Sequence, residues 1–390
     1  MGAGMSRAVR QTPHQDRTAE GIRTPPSERR RLASLSELES AARAALGKEA
    51  WTYLDAGAGC ETTLAENRAA FDRWHLLPRP LSGVGEVRTT TEFLGLELAT
   101  PLVTGPVGTY SAFHAGGDVA VARAAQRCGT AAIVPVLSSY SLEETAAAAP
   151  GAAGIFQALA SGSEEGFVEL AHRAQAAGYA VICLTIDAYP RGVRDRIAST
   201  GLELPEDAFA ANFGGDIETE IGRHIELGRD AWSWTTVRQL IDEIDLPVMI
   251  KGVLTPETAE AAVAAGARAV MVSNVGGRQL DGAPSSLEQL PDIVDAVGSA
   301  VRIAFDSGVR RGTDALKALA LGAEIISLGR TIAMGLAAGG EEGVVASLKL
   351  VHEELVTSMA LCGIGDVGTI DTSILQGATR PTIGNQGSPR

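Results

Sequence analysis

The sequence is poor in aromatic residues and in positive charge, and it has no long hydrophobic run. Only 4% of its 390 residues are aromatic, and 47 acidic residues outweigh 33 lysines and arginines, giving a formal net charge of −14. Such a chain lacks the basic face that phosphate backbones require. No apolar run reaches the roughly 18 to 20 residues of a membrane span, and residues 1–31 lack the apolar middle of a secretory signal. We therefore expect a cytoplasmic protein that binds neither nucleic acid nor membrane.

Cysteine is also scarce. The four cysteines, Cys60, Cys128, Cys183 and Cys362, lie far apart and show no metal-ligand spacing. An intracellular chain with this pattern is expected to keep reduced, mostly buried thiols. The sequence thus predicts no metal site.

Small and aliphatic residues are abundant instead, with 45% hydrophobic residues and 45 glycines, which is typical of a globular domain. Residues 1–33 carry no hydrophobic period and predict a disordered tail. Residues 34–95 form a predicted helical cap segment, since Ser34 and Ser36 are capping residues followed by early acids. Residues 372–390, rich in Gly, Pro and Thr, form a second predicted tail that frays from Leu375. The main domain is then 96–371.

Within this domain, short apolar runs alternate with helical segments, as expected of repeated βα units around a parallel sheet. Eight strands are predicted, at Leu102–Gly108, Ala131–Val136, Gly154–Leu159, Ala180–Asp187, Leu246–Gly252, Ala267–Asn274, Val301–Gly308 and Glu324–Arg330. Their near-continuous apolar character fits burial on both faces. The sequence therefore predicts a (β/α)8 TIM barrel. The long insert after the fourth strand, from about Ala198 to Trp232, is a candidate lid.

Polar residues follow many of these strands at the point where each strand ends. They are Gln157, Thr185, Lys251, Ser273, Asp306 and Arg330. Barrel enzymes place their chemistry on the face formed by the carboxyl ends of the strands. One polar residue there is often only a solvated strand end, but six on one rim predict an active site.

The last two strands carry a second signal. Glycines and arginines stand together in Asp306–Thr313 and in Leu328–Arg330. Backbone N–H groups freed by glycine and guanidinium forks suit a phosphate, and barrels commonly bind phosphate after strands seven and eight.

Several ordered motifs make the chain resemble the FMN-dependent α-hydroxy-acid oxidase and dehydrogenase family, which includes glycolate and lactate oxidases. The motifs are Tyr53–Ala58, Thr63–Asn67, Phe156–Gln157, Leu184–Asp187, Ile250–Val253, Ser273–Asp281, Asp306–Asp314 and Leu328–Arg330. They span the chain from about Leu35 to Ile370. The resemblance implies FMN, rather than a dinucleotide, as the cofactor.

The resemblance also implies roles for individual residues. Lys251 would stand at the N1 edge of the flavin, where a cation stabilises the reduced ring. The other implied cofactor contacts are Val107, Gly108, Gln157, Thr185, Ser273, Asp306, Gly308, Arg310, Gly329 and Arg330. Arg194, Arg278 and Tyr53 would hold the carboxylate of a small-molecule substrate.

Two catalytic positions depart from the family. Val275 stands where the family has the histidine that takes a proton from the 2-hydroxy acid, and Leu159 replaces a tyrosine that hydrogen-bonds the substrate. The serine-rich strand end of the family is altered in Pro135–Ser139, where one flavin contact departs from the family, while Tyr189 and Arg191 are atypical beside the substrate position. A missing base typically costs about 10²- to 10⁴-fold in rate. Oxidation of simple 2-hydroxy acids is therefore not expected.

Alternatives remain at this point. Another group could supply the base, with candidates His114, Tyr110, Tyr140, Tyr189 and His224. The chain is expected to be an FMN oxidoreductase that transfers hydride to flavin N5 without the usual histidine. It could instead be a catalytically silent FMN-binding or assembly protein, or a non-redox flavin enzyme such as an isomerase. The family resemblance also implies a homo-oligomer, a tetramer or octamer.

Overall fold

A parallel barrel forms the centre of the computed structural model, which describes residues 34–150, 154–204, 208–213 and 232–377. Within these ranges eight parallel strands close on themselves, in the order in which they occur in the chain. They are β4 (Leu102–Thr104), β5 (Ala132–Pro135), β6 (Gly154–Leu159), β7 (Val181–Thr185), β8 (Val248–Val253), β9 (Ala269–Val272), β10 (Arg302–Phe305) and β11 (Ile325–Leu328). Seven lie inside a predicted strand and β8 runs one residue past its predicted end at Gly252, so the (β/α)8 prediction is confirmed.

The inside of the barrel is a separate apolar cluster that includes Ile155, Met249 and Met271, all fully buried. A hairpin of β2 (Thr91–Phe93) and β3 (Leu96–Leu98) packs against this cluster. Phe93 is completely buried there. Because the hairpin directly precedes β4, it covers the end at which the strands begin and leaves the carboxyl ends of the strands for the site.

Helices surround the barrel, and their starts follow the capping residues seen in the sequence. Ser34, Thr255 and Ser285 each accept a hydrogen bond from a backbone N–H in the first helical turn. The helices are α1 (Leu35–Ala45), α2 (Lys48–Asp55), α3 (Thr62–Asp72), α4 (Gly117–Arg127), α5 (Leu142–Ala148), α6 (Glu164–Ala176), α7 (Asp195–Ala198), α8 (Trp234–Asp242), α9 (Pro256–Ala264), α10 (Ser286–Val297), α11 (Gly312–Ala320) and α12 (Arg330–Leu361). Helix α12 contains a kink at Gly339 and Gly340.

The N-terminal helices are tied to the barrel by polar contacts. The side-chain amides of Asn67 and Asn274 exchange two hydrogen bonds of 2.8 Å, and Arg68 Nη1 lies 2.6 Å from Asp314 Oδ2. Asn67 is on α3 and Asn274 follows β9, so this buried pair joins the cap segment to the loop of Val275.

Two of the predicted segment boundaries can be compared with the observed elements, and the other boundaries stay predictions. The hairpin β2–β3 spans the boundary placed at residue 95. Strand β12 (Leu375–Gly377) pairs antiparallel with β1 (Trp74–Leu76), so these three residues of the predicted C-terminal tail do not fray. Residues 1–33, most of the insert between 198 and 232, and 378–390 lie outside the described residues. No described helix is long and apolar enough to cross a membrane.

Candidate functional site

A cavity of about 520 Å³ opens at the carboxyl ends of the barrel strands. The strands contribute to it through residues at and just after their carboxyl ends, where barrels place their active sites. Of the predicted site residues, the cavity is lined by Tyr53, Val107, Gly108, Leu159, Gln157, Thr185, Arg194, Lys251, Val275, Arg278, Asp306, Gly308, Arg310, Gly329 and Arg330. Ser273 lies behind them and contacts Lys251.

Lys251 is a buried cation at the end of β8. Its Nζ donates to Ser273 Oγ at 2.6 Å and lies 3.2 Å from Asp306 Oδ2. Burial alone would lower the pKa of Lys251, but the nearby carboxylates of Asp306 and Asp187 outweigh it and hold this pKa above its usual value. Lys251 therefore stays charged at neutral pH.

The C-terminus of α2 orients two of the arginines. Arg278 Nη1 donates to the carbonyls of Tyr53 and Ala56, at 2.9 and 2.7 Å. Arg330 donates to the carbonyls of Leu54, Ala56 and, beyond the helix, Gly276, at 2.9 to 3.1 Å. The last carbonyls of a helix have no partner within it and attract cations, so α2 fixes both guanidinium groups. The Arg278 guanidinium also lies 5.2 Å from the centre of the Tyr53 ring.

Arg194 is held by the loop that carries Arg278. Its Nε donates to the Arg278 carbonyl at 2.9 Å and its Nη2 to Gln279 Oε1 at 3.0 Å. The segment of Arg194 and the loop of Arg278 approach closely because residue 192 is glycine. A Cβ at residue 192 would lie 2.6 Å from the Arg278 carbonyl oxygen. Burial, with the like charges of Arg278 and Arg191, lowers the pKa of Arg194 to about 9. A pocket for an anion has this character.

A second positive region lies after β10 and β11. Burial lowers the pKa of Arg310 to about 10. Burial, together with the like charge of Arg310, lowers the pKa of Arg330 well below its ordinary value. Neither makes an ion pair within the described residues. Gly308 has φ of +85°, and its place against the Asn67 carbonyl leaves no room for a Cβ. Two half-buried cations that lack a counterion among the described residues, beside a glycine turn, suit a phosphate dianion.

Polar atoms deeper in the cavity also have hydrogen-bonding capacity that no described residue satisfies. Gln157 Nε2 donates to Thr185 Oγ1 at 2.9 Å, which leaves the Thr185 hydroxyl hydrogen and Gln157 Oε1 available. The Oγ of Ser327 is buried and, in the part of the chain that the structure describes, has no hydrogen-bond partner. Donors and acceptors of this kind suit the edge of a flavin ring, so the residues present fit the FMN that the sequence implies.

Val275 lies in the cavity wall in a strained backbone conformation. Its φ is +52°, and the following glycines, Gly276 and Gly277, have φ of +64° and +75°. A left-handed conformation is uncommon for any non-glycine residue and is an outlier for a β-branched one. Such strain persists where the surrounding structure enforces it and is concentrated at functional sites. Together with Leu159, Val275 makes this part of the wall apolar.

The structure narrows the candidates for a replacement base. Tyr189 is the one that lines the cavity among the four described candidates. His114 Nδ1 accepts a hydrogen bond from the Gly116 N–H, Tyr140 donates to the Ala115 carbonyl, and Tyr110 donates to the Gly105 carbonyl. These three therefore have structural partners outside the cavity or behind its wall. His224 falls outside the described residues.

Sequence reasoning missed or passed over several residues of the site. Asp187, noted only as part of a motif, has a buried Oδ1 with no described hydrogen-bond partner, and burial raises its pKa to about 6. Thr109 lines the cavity at φ +64° with its Oγ1 3.1 Å from the Tyr53 hydroxyl. Gln279 clamps the loop of Arg194. The apolar wall was missed as well, and it consists of Leu137, Ile197, Leu202, Leu204 and Phe209. Only the position of Thr109 just after a strand offered a signal in the sequence.

Comparisons with known proteins agree with this geometry. A family described as FMN-dependent dehydrogenase matches residues 42–377. L-lactate oxidase from Nostoc sp. is 39% identical over 359 residues, which cover 88% of this chain and 97% of the relative. 4-Hydroxymandelate oxidase from Amycolatopsis orientalis is 39% identical over 343 residues, covering 86% and 96%. A crystal structure of mandelate oxidase is similar with a TM-score of 0.83 at 38% identity, covering 89% of this chain and 99% of that one.

Proposed function

The chain belongs to the FMN-dependent dehydrogenase family of 2-hydroxy-acid oxidases, and from this premise we propose that it oxidises a carboxylate-bearing substrate other than the simple 2-hydroxy acids. Membership makes it an oxidoreductase whose cofactor is FMN. The proposal concerns what is oxidised and which residues take part. The single observation that carries it is Val275, an aliphatic residue in the wall of a cavity whose cationic groups are retained.

The cofactor would be held from both ends. Arg310 and Arg330, with the backbone at Gly308 and Gly329, would bind its phosphate, and Asp306 would accept from its ribityl hydroxyls. Gln157, Thr185 and Ser273 would hydrogen-bond the ring and chain, beside the backbone at Val107 and Gly108. When bound in this position, FMN would supply a hydride acceptor at its N5 atom. The buried Lys251 would then stabilise the added negative charge, because it remains protonated in its place between Asp306 and Asp187.

The substrate carboxylate would be bound by Arg194 and Arg278, with Tyr53 beside them. Both arginines keep N–H donors that have no partner among the described residues, namely Nη1 of Arg194 and Nη2 of Arg278. A bidentate contact with a carboxylate fixes the orientation of the carbon next to it. The α-carbon would therefore be presented to the cofactor in a defined way.

Neither Val275 nor Leu159 can accept a proton from the substrate. The chemistry then favours a substrate whose reacting group is already deprotonated, such as a neutral amine or a thiolate, or one whose oxidation is driven by loss of carbon dioxide. In the first two cases hydride transfer from the α-carbon requires no base at position 275. In the third case the electron pair comes from the broken bond to the carboxylate, so no proton has to be removed. The retained Lys251 favours a redox role over a purely structural flavin, because a structural flavin has no use for a buried cation at its ring.

The proposal is tested by anaerobic reduction of the purified holoprotein. Flavin absorbance is followed after addition of 2-hydroxy acids, 2-amino acids and 2-mercapto acids of matched side chains. We expect bleaching by a member of the amino or mercapto series and little by lactate or mandelate. Rapid bleaching by lactate or mandelate would overturn the proposal, and so would failure of every acid to reduce the flavin.

A further inference from the structure

We propose that the substrate of this site carries a second anionic group besides the carboxylate next to its reacting carbon, and that Arg191 binds this group. The inference rests on the proposed function, since it specifies the substrate of the same cavity. It is carried by a third arginine at the substrate end of the cavity, because a substrate with a single carboxylate would leave this arginine without a counterion.

Arg191 lines the cavity together with Arg194 and Arg278. Its guanidinium makes no hydrogen bond or ion pair with any residue of the described ranges. Its charge nevertheless acts on the half-buried groups around it. Burial lowers the pKa of Arg194 and of Arg278 and the charge of Arg191 lowers both further, while burial raises the pKa of Tyr189 and Arg191 opposes that rise. Three guanidinium groups therefore share one region of the cavity.

The loop that carries Arg191 is fixed in place, so this proximity is built into the fold. Gln279 Nε2 donates to the Asp187 carbonyl at 2.6 Å and to the Pro190 carbonyl at 3.3 Å, while the Gly192 N–H donates to Gln279 Oε1 at 3.3 Å. The side chain of Gln279 thus holds both sides of the loop. Residue 191 is the exposed position between these anchors.

The charges that line the cavity do not balance. Among the described lining residues there are six cations, Arg191, Arg194, Lys251, Arg278, Arg310 and Arg330, and one carboxylate, Asp306. Lys251 is paired with Asp306, and a phosphate dianion would balance Arg310 with Arg330. The remaining three arginines face the substrate, and one carboxylate neutralises only one of them. Grouping like charges without counterions is unfavourable, so a ligand with at least two negative charges is the better complement.

The chemical class that fits is a dicarboxylate or a carboxylate with another acidic group. The carboxylate near the reacting carbon would bind Arg194 and Arg278, which α2 and Gln279 hold in fixed positions. The second group would lie toward the open mouth, where Arg191 is exposed. Because the net charge of the chain is −14, a dianion is attracted to the positive mouth of the cavity more than to any other face of the protein.

The experiment titrates the FMN-loaded protein with unreactive acids and follows the visible absorbance of the flavin. Acetate, propionate and butyrate are compared with malonate, succinate and glutarate, which have an added carboxylate. We expect at least one dicarboxylate to bind about three- to tenfold more tightly than its monocarboxylate partner, as a partly exposed charge pair allows. Arg191→Gln should abolish this advantage and leave the Kd of the monocarboxylates within about twofold.

Arg268→Gln is the matched control, because Arg268 is exposed at the start of β9, at the opposite end of the barrel. Equal Kd values for mono- and dicarboxylates, or an advantage that survives in Arg191→Gln, would overturn the inference. If none of the six acids binds, both this inference and the carboxylate clamp fail. A protein that does not retain FMN contradicts the proposed function alone, and calorimetric titration of the same acids then still decides whether Arg191 selects dianions.

Discussion

Val275 combines the two unusual properties of the site in one residue: it lacks a titratable group, and its backbone is strained. A left-handed conformation costs an L-residue roughly 1–2 kcal/mol, and asparagine tolerates it better than a β-branched side chain. We predict that Val275→Asn raises the free energy of unfolding by about 1 kcal/mol. Urea unfolding of the wild-type and variant proteins measures this difference.

Val193→Asn provides the control, since Val193 is exposed and does not have a positive φ. Its stability should equal that of the wild type within error. A Val275→Asn variant less stable than the wild type would show that packing of the isopropyl group in the cavity wall outweighs the backbone strain.

Asp187 gives a prediction that depends on pH. Burial raises its pKa to about 6 from 3.8, so the folded protein favours the protonated form. The charged form is therefore destabilising, and the penalty is absent below about pH 4, grows between pH 4 and 6, and is complete above pH 6. Asp187→Asn should remove it and raise the free energy of unfolding at pH 7 by up to about 3 kcal/mol.

The measurement is the stability difference between Asp187→Asn and wild type at pH 4, 5, 6 and 7. It should increase over this series and then level off, while Asp242→Asn, at an exposed position on α8, should show no such trend. A difference independent of pH would mean that Asp187 is not a buried charge in solution.

At the scale of residues, the sequence shows which side chains have been replaced, but it does not show the backbone conformation or the surroundings of a residue. The aliphatic replacements at Val275 and Leu159 stand inside recognisable motifs, so both were predicted to mark a changed site. The positive φ of Val275 depends on the contacts of the whole loop. The environment of the Asp187 carboxylate depends on where Gly252 and Lys251 lie, on a strand more than 60 residues away. Neither property has a local signal in the sequence.

At the scale of elements, the turns after β10 and β11 should determine affinity for FMN. Arg310 is half-buried without an ion-pair partner in the described ranges. A hydrogen bond to a charged group contributes about 1.5–3 kcal/mol. We predict that Arg310→Gln weakens FMN binding by about 10- to 100-fold. Quenching of flavin fluorescence during titration of FMN with apoprotein gives the Kd.

The same substitution should not destabilise the apoprotein, because it removes a buried positive charge that burial already disfavours. Arg123→Gln, on the outer helix α4, is the control and should leave the Kd unchanged. An unaltered Kd for Arg310→Gln would place the phosphate elsewhere in the cavity.

The elements themselves differ in how far sequence predicts them. The eight barrel strands were predicted because each is a mostly apolar run bounded by turns, and both faces are buried in the structure. The hairpin that packs against the barrel interior and the pair of β1 with β12 were missed. Their strands are three residues long, and β12 pairs with a segment about 300 residues earlier in the chain. Such short, long-range pairs leave no periodic pattern.

At the scale of the whole molecule, charge is distributed unevenly. The chain carries a net charge of −14, yet the described lining of its cavity has six cations against one carboxylate. This contrast was not visible in the composition, because it arises only when strand ends from the whole chain meet on one face. We also propose that the protein is a homo-oligomer, a tetramer or octamer, and light scattering on the purified protein would show a monomer if this is wrong.

One measurement tests most directly whether the loss of the base at position 275 sets the chemistry of this enzyme. Wild type, Val275→His and Val275→Asn are mixed anaerobically with L-lactate and with mandelate, and the rate of flavin reduction is recorded by stopped flow. We predict that Val275→His is reduced about 10²- to 10⁴-fold faster than the wild type by at least one of these acids, and that Val275→Asn, which has no base, shows no gain. Reduction of the wild type as fast as Val275→His by both acids would contradict the claim.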